Sequence, residues 1–239
     1  MNEQMNASLP PTSGGPSSFF QIWMNALTKP NEQTFADMAN SGNANATTAL
    51  LWVFISSLAY FFFASLVQGI AMRRLLEQFG GGGGFGGGGF GSRLIGVICG
   101  APILAVIFTL IFAVGVAIYQ WVAKMFGGRG AFNQMIYAAS AITAPIMLIN
   151  IVFALLGAIP LVGLCFGIVS FLVSLYALVL HITAIKGVNQ FGWGPAIGSA
   201  FLPGIVLGCC VALGVIGMMT VLGPKISETF NQINNNLVP

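Results

Sequence analysis

The side chains that could do chemistry in this chain are few, and they lack the neighbours such chemistry needs. His181 is the single histidine, and an imidazole can serve as proton relay, metal ligand or general base. Each role requires a partner within about 3 Å, yet none of the five acidic residues lies in the apolar segment around His181. Ser170 and Ser174 precede it in the same segment. Ser174 is about two helical turns away, too far for a nucleophile–base hydrogen bond. No His-Glu-x-x-His zinc helix, Gly-x-Ser-x-Gly elbow or carboxylate pair occurs. The expected state of His181 is a neutral imidazole bonded to a backbone carbonyl. The sequence assigns no catalytic, cofactor-binding or metal-ligating residue.

The remaining candidates have structural explanations. Cys99, Cys165, Cys209 and Cys210 all fall in apolar segments and read as buried small hydrophobes, with neither disulfide nor metal spacing. Gly80 to Gly91 is glycine interrupted only by Phe85 and Phe90, so its match to a phosphate-binding glycine pattern is trivial. No strand pattern precedes it and no Gly-Lys-Ser/Thr follows. It reads as a loop spanning on the order of 20 Å. Asn150 in the third span is the best-placed deeply polar side chain and suits an interhelical hydrogen bond, with ligand contact as the alternative. Gly96–Gly100, Gly163–Gly167, Gly194–Gly198 and Gly204–Gly208 are Gly-x-x-x-Gly pairs, which let helices approach closely in lipid. Intramolecular packing is their expected use, with homo-oligomer contact as the alternative. Trp23, Asn150, His181, Gly163, Gly167, Gly204 and Gly208 are the candidate packing or partner contacts.

These residues must be positioned by membrane helices. Between Arg129 and Lys186 lie 56 consecutive residues with no Asp, Glu, Lys or Arg, although charged residues make up about a quarter of an average soluble chain. One crossing needs about 20 apolar residues, so the run is long enough for two. Of the 239 residues, 56% are hydrophobic and 5% charged, which excludes an ordinary globular or disordered chain. Eight basic residues scattered along the sequence form no patch for nucleic acid. The fold class expected is all-α, a polytopic membrane protein with five transmembrane helices and an amino-terminal interfacial amphipathic helix.

The spans fall at about 48–72, 97–123, 135–157, 163–185 and 196–222, within a membrane domain of 43–223. Pro102 in the second apolar block marks a tilt or a short interfacial turn. Residues 1–18 read as a flexible tail without signal-peptide character, and 224–239 as a polar tail. Over 19–42 two short helices are expected at the membrane surface. The first carries Phe19, Phe20, Trp23, Met24 and Leu27 and stops at Pro30; Asn31 caps the second, which runs to Asn40. Five crossings put the termini on opposite sides. Lys29, Lys124, Arg129 and Lys186 on one side balance Arg73, Arg74, Arg93 and Lys225 on the other, so basic residues do not orient the chain.

Trp23, Leu27, Lys29-Pro30 and Thr34-Phe35 together resemble the opening motif of the Yip (Ypt/Rab-interacting protein) domain family. Gly127-Gly128-Arg129-Gly130-Ala131-Phe132, then Tyr137-Ala138 and Pro145, is similar to that family's second loop and third span. Gly187 and the stretch Ala196 to Pro203 resemble its closing segment. The resemblance covers about residues 19–220, includes the five-span count and implies an amino terminus in the cytoplasm, while the missing catalytic constellation argues against an enzyme. Eukaryotic members bind Rab-type GTPases in Golgi and endoplasmic-reticulum traffic. This chain lacks their acidic segment before the first span, which argues against Rab binding. It favours a prokaryotic relative in a bacterial plasma membrane, with the endoplasmic reticulum or Golgi as the alternative. The expected function is a scaffold or organiser of membrane assemblies, contacting lipid and other membrane proteins or its own copies. A small transporter or channel component is the rival, because Pro102, Pro145 and Pro203 could break helices. An intramembrane hydrolase would have to depend on His181.

Overall fold

The computed structural model describes residues 16–42, 44–78, 90–157 and 159–206, with a few helical positions between 208 and 220. Every regular element among them is a helix: α1 (Pro16–Thr28), α2 (Glu32–Asn40), α3 (Ala46–Gln78), α4 (Phe90–Met125), α5 (Phe132–Gly157), α6 (Pro160–Asn189) and α7 (Trp193–Val206). Four contain stretches long and apolar enough to cross a membrane: Ala46–Val67, Gly96–Met125, Phe132–Gly157 and Cys165–Asn189. The described part of the fifth expected span is the shorter apolar helix α7; its continuation past Val206 lies largely outside the described residues. So do the tails and most of the glycine tract.

Boundaries differ from the sequence reading where helix-forming residues continue past a polar marker. Pro16 starts α1 inside the expected tail, because proline is tolerated in a first turn that has no intrahelical donor to lose. Helix α3 continues beyond Arg73–Arg74 to Gln78, since only good helix formers precede the glycine tract. Helix α4 begins at Phe90, within the expected loop, and is continuous through Pro102. No interfacial turn forms there. At 33 and 36 residues, α3 and α4 are about 50 Å long and exceed a hydrocarbon core of about 30 Å.

Helix α5 is the centre of the bundle and touches each of α1, α2, α3, α4 and α6. Met135 to Ile142 and Ala144 to Ile146 are all buried. Alanines 138, 139, 141 and 144 with Ser140 supply the short side chains that bring neighbouring backbones close. Helix α4 is peripheral: Ile103, Leu110, Ile111, Val114 and Trp121 are exposed and face lipid. The cysteines correct an expectation, since Cys99, Cys165 and Cys209 are free and exposed rather than buried. An exposed thiol on an apolar helix costs little when the surrounding solvent is hydrocarbon.

Two ends of the bundle are distinguishable. The end we call proximal gathers α1, α2, the α4–α5 turn and the end of α6. The distal end holds the α5–α6 hairpin. There Gly163 donates its N–H to Ile159, and Pro160 opens α6 at a position suited to proline.

Candidate functional site

Side-chain hydrogen bonding between distant segments concentrates at the proximal end. Gln120 near the end of α4 and Asn189 at the end of α6 are 3% and 1% exposed, so their amides must be satisfied internally. They form a reciprocal pair: Gln120 Nε2 donates to Asn189 Oδ1 at 2.9 Å and Asn189 Nδ2 to Gln120 Oε1 at 3.2 Å. The Gly130 N–H donates to Asn189 Oδ1 at 3.2 Å, and the Gly130 carbonyl accepts from Gln120. Asn189 Nδ2 also donates to the Ile185 carbonyl at 3.0 Å. One cluster thus fastens α4, the α4–α5 turn and α6.

The glycines of that turn are required by it. A Cβ on Gly128 would stand 2.6 Å from Asn189 Oδ1, and one on Gly130 would stand 2.7 Å from Val188 Cγ1. Gly127 has φ +87, a conformation that side chains disfavour. The sequence reading missed this cluster. Neither Gln120 nor Asn189 belongs to a motif or spacing that the sequence singles out. The available signal was only local: an amide residue, Gln120, shortly before a Gly-x-Gly turn, with nothing in the spacing that pairs it with Asn189.

Helix α2 closes onto the same end. Asn31 caps it, Oδ1 accepting from the Thr34 N–H at 2.6 Å. Gly187 permits the approach to α6: a Cβ there would lie 2.5 Å from the Glu32 carbonyl oxygen and 3.1 Å from Phe35 Cβ. Glu32 pairs with Lys186, whose ammonium stands 4.5 Å above the centre of the Trp193 ring. Gln134 Nε2 donates to Asn40 Oδ1 at 3.2 Å, tying α2 to α5. Beside this contact an open polar cleft of about 400 Å³ is lined by Gln33, Asp37, Asn40, Lys186 and Gln190.

Helix α1 is held by aromatic packing. Trp23 meets Phe19 and Trp52 edge to face at 5.3 and 5.9 Å, and Trp52 meets Tyr137 at 5.1 Å. Trp23 Nε1 is buried and has no hydrogen-bond partner among the described residues. Tyr176 donates to the Leu27 carbonyl, fixing the end of α1 to α6. Phe20 and Met24 remain exposed on the opposite face.

Farther into the bundle, His181 Nδ1 lies 2.8 Å from the Ala177 carbonyl, and Nε2 lies 3.3 Å from Thr143 Oγ1. Nδ1 can donate to the carbonyl while Nε2 accepts the hydroxyl proton, so both nitrogens are used within the protein. Asn150 is far from this pair. It lines a cleft of about 350 Å³ between α3, α5 and α6, with Tyr60, Ser170 and the glycines 157, 163 and 167. Gly163 is a packing position, because a Cβ would meet the Gly157 carbonyl at 2.6 Å. A Cβ on Gly167, Gly204 or Gly208 would meet nothing within 4 Å. The candidate residues therefore do not converge on one centre. Among the described residues no group of three His, Cys, Asp or Glu could hold a metal ion.

Apolar helices packed around a central charge-free one, with polar fastening at one end, define an integral, multi-pass membrane protein of helical-bundle type. The Yip1 domain matches residues 24–216. This stretch includes α1 from Met24 onward, all of α2 and the Gly127–Phe132 turn, and the chain belongs to the Yip1 domain family. No curated protein and no solved structure matches it.

Proposed function

We propose that the chain is a non-enzymatic organiser of membrane-protein assemblies whose partners bind at the proximal end. The observation that supports this is the state of α2. Its inner face is fixed on α6 by Gly187 and the Glu32–Lys186 pair, while Gln33, Asp37 and Asn40 stay exposed. A polar surface already held rigid loses little ordering entropy when another protein docks.

In this reading residues 43–223 form the membrane domain, with a fifth crossing at about 196–222. Residues 19–42 lie at the headgroup level, and the proximal end faces the cytoplasm of a bacterial cell. Trp23, His181 and Gly163 serve internal packing. A Cβ on Gly204 or Gly208 would meet nothing within 4 Å, which leaves both available to a helix of another membrane protein or a second copy. The test is co-purification in mild detergent of the full chain and of Gln33→Arg/Asp37→Arg. The native chain should retain a protein partner that the variant loses at least tenfold, with unchanged thermal unfolding. Failure of the native chain to retain any partner would overturn the proposal. Selective solute flux in liposomes, abolished by Asn150→Leu, would favour a transporter instead.

A further inference from the structure

The cleft between α3, α5 and α6 has a composition that the proximal contacts do not explain. Its polar members are Tyr60, Asn150 and Ser170, and no charged residue lines it. Asn150 makes no hydrogen bond to a described residue, and its neighbours in the cleft include Ala154, Gly157 and Gly167, which offer no side-chain partner. A carboxamide at this depth is costly in hydrocarbon unless something bonds to it. The side-chain oxygens of Tyr60 and Ser170 likewise bond to no described residue, so three uncharged groups that can each donate and accept converge on one space.

That space is kept open by missing side chains. A Cβ at Gly167 meets nothing within 4 Å, whereas Gly163 is pressed against the Gly157 carbonyl. The hairpin is tight at its tip and separates below it. The volume of about 350 Å³ lies within the range of small-molecule sites. One wall carries the Phe153 and Phe166 rings, 5.7 Å apart. All three bounding helices are apolar enough to cross the membrane, so a ligand reaches the cleft from the bilayer. Asn150 lies about 10 Å along α5 from the hairpin tip at Gly157. With the tip among headgroups, that is near the boundary between lipid esters and hydrocarbon.

We infer that this cleft binds an uncharged membrane lipid, taking its glycerol ester or hydroxyl oxygens onto Asn150, Tyr60 and Ser170 and its first acyl carbons against Phe153 and Phe166. An anionic headgroup would find no cation in the lining, and a lipid with nothing polar would leave Asn150 unpaired. The inference does not depend on what docks at the proximal end.

The test uses the full chain in phosphatidylcholine nanodiscs containing a trace of photoactivatable diacylglycerol, with cross-linked peptides mapped by mass spectrometry. Cross-links should concentrate between Asn150 and Ser170 and on the peptide carrying Tyr60. Asn150→Leu and Tyr60→Phe should each lower labelling about three- to tenfold, the worth of one hydrogen bond. Gly167→Leu, which fills the cleft, should lower it more than about tenfold. A phosphatidylglycerol probe with the same chains should label the segment several-fold less. Labelling spread evenly over the helices, equal labelling by the anionic probe, or labelling indifferent to Gly167→Leu would overturn the inference. Should Gly167→Leu fail to fold, Tyr60→Phe decides, because it removes a single oxygen; unchanged labelling in that variant is equally a refutation.

Discussion

Replacing Asn189 by leucine should cost the fold about 3 kcal/mol, through partners that stay behind without bonds. In the native protein the Asn189 amide accepts from Gln120 and from the Gly130 N–H, and donates to Gln120 and to the Ile185 carbonyl. Leucine has similar volume, so no large cavity opens. The Gln120 Nε2 group keeps the Gly130 carbonyl, but Gln120 Oε1 and the Gly130 N–H are orphaned in a dry site. Each orphan costs about 1–3 kcal/mol, partly offset by the apolar replacement. The double variant Gln120→Leu/Asn189→Leu carries a sharper expectation. It leaves only the two Gly130 backbone groups unpaired, whereas the two single variants together orphan three groups. It should therefore be less destabilised than the sum of the singles by about 1–2 kcal/mol. Tryptophan fluorescence during unfolding of the purified chain in mixed detergent micelles measures all four corners of the cycle. Additive costs, or an Asn189→Leu variant within about 0.5 kcal/mol of the native chain, would refute the reasoning.

Other expectations concern close approaches and aromatic packing. Gly187→Val should drive α2 off α6, because its Cβ meets the Glu32 carbonyl at 2.5 Å; proteinase K should then cut the Ser41–Asn45 link many times faster. Gly163→Ala should destabilise the distal hairpin by about 1–3 kcal/mol, while Gly167→Ala should be neutral in the same unfolding assay, since only the former meets a backbone oxygen. Trp23→Phe should stay within about 1 kcal/mol of the native chain, because the indole N–H that it removes has no described partner. Trp52→Ala should cost about 2–4 kcal/mol in that assay, since its ring bridges Trp23 and Tyr137.

The parts of this architecture readable from sequence are those encoded by neighbours in the chain. The charge-free run before Lys186 specifies α5 and α6, since span length and apolarity are local quantities. Asn31 and Pro30 likewise mark the α1–α2 break through caps and missing donors. The proximal cluster is different: Gln120 and Asn189 are 69 positions apart, and periodicity does not pair one helix with another. Gly187 shows the same limit. The family resemblance picks it out among 32 glycines, but only the Glu32 carbonyl against it reveals its use. Gly204 and Gly208 look identical in sequence and meet nothing. A small residue states that approach is possible, not that it occurs.

The seating of α2 on Gly187 has a consequence for biogenesis. Helix α2 leaves the ribosome early, but its docking surface is made only after α3, α4, α5 and nearly all of α6. At translation rates of 5–20 residues per second, that separation is on the order of ten seconds. During this interval the part of α2 that seats on α6 stays uncovered, with lipid or a chaperone in place of that helix. Seating of α2 on α6 is then a late event in maturation, and a chain stalled before Gly187 would leave that contact unmade.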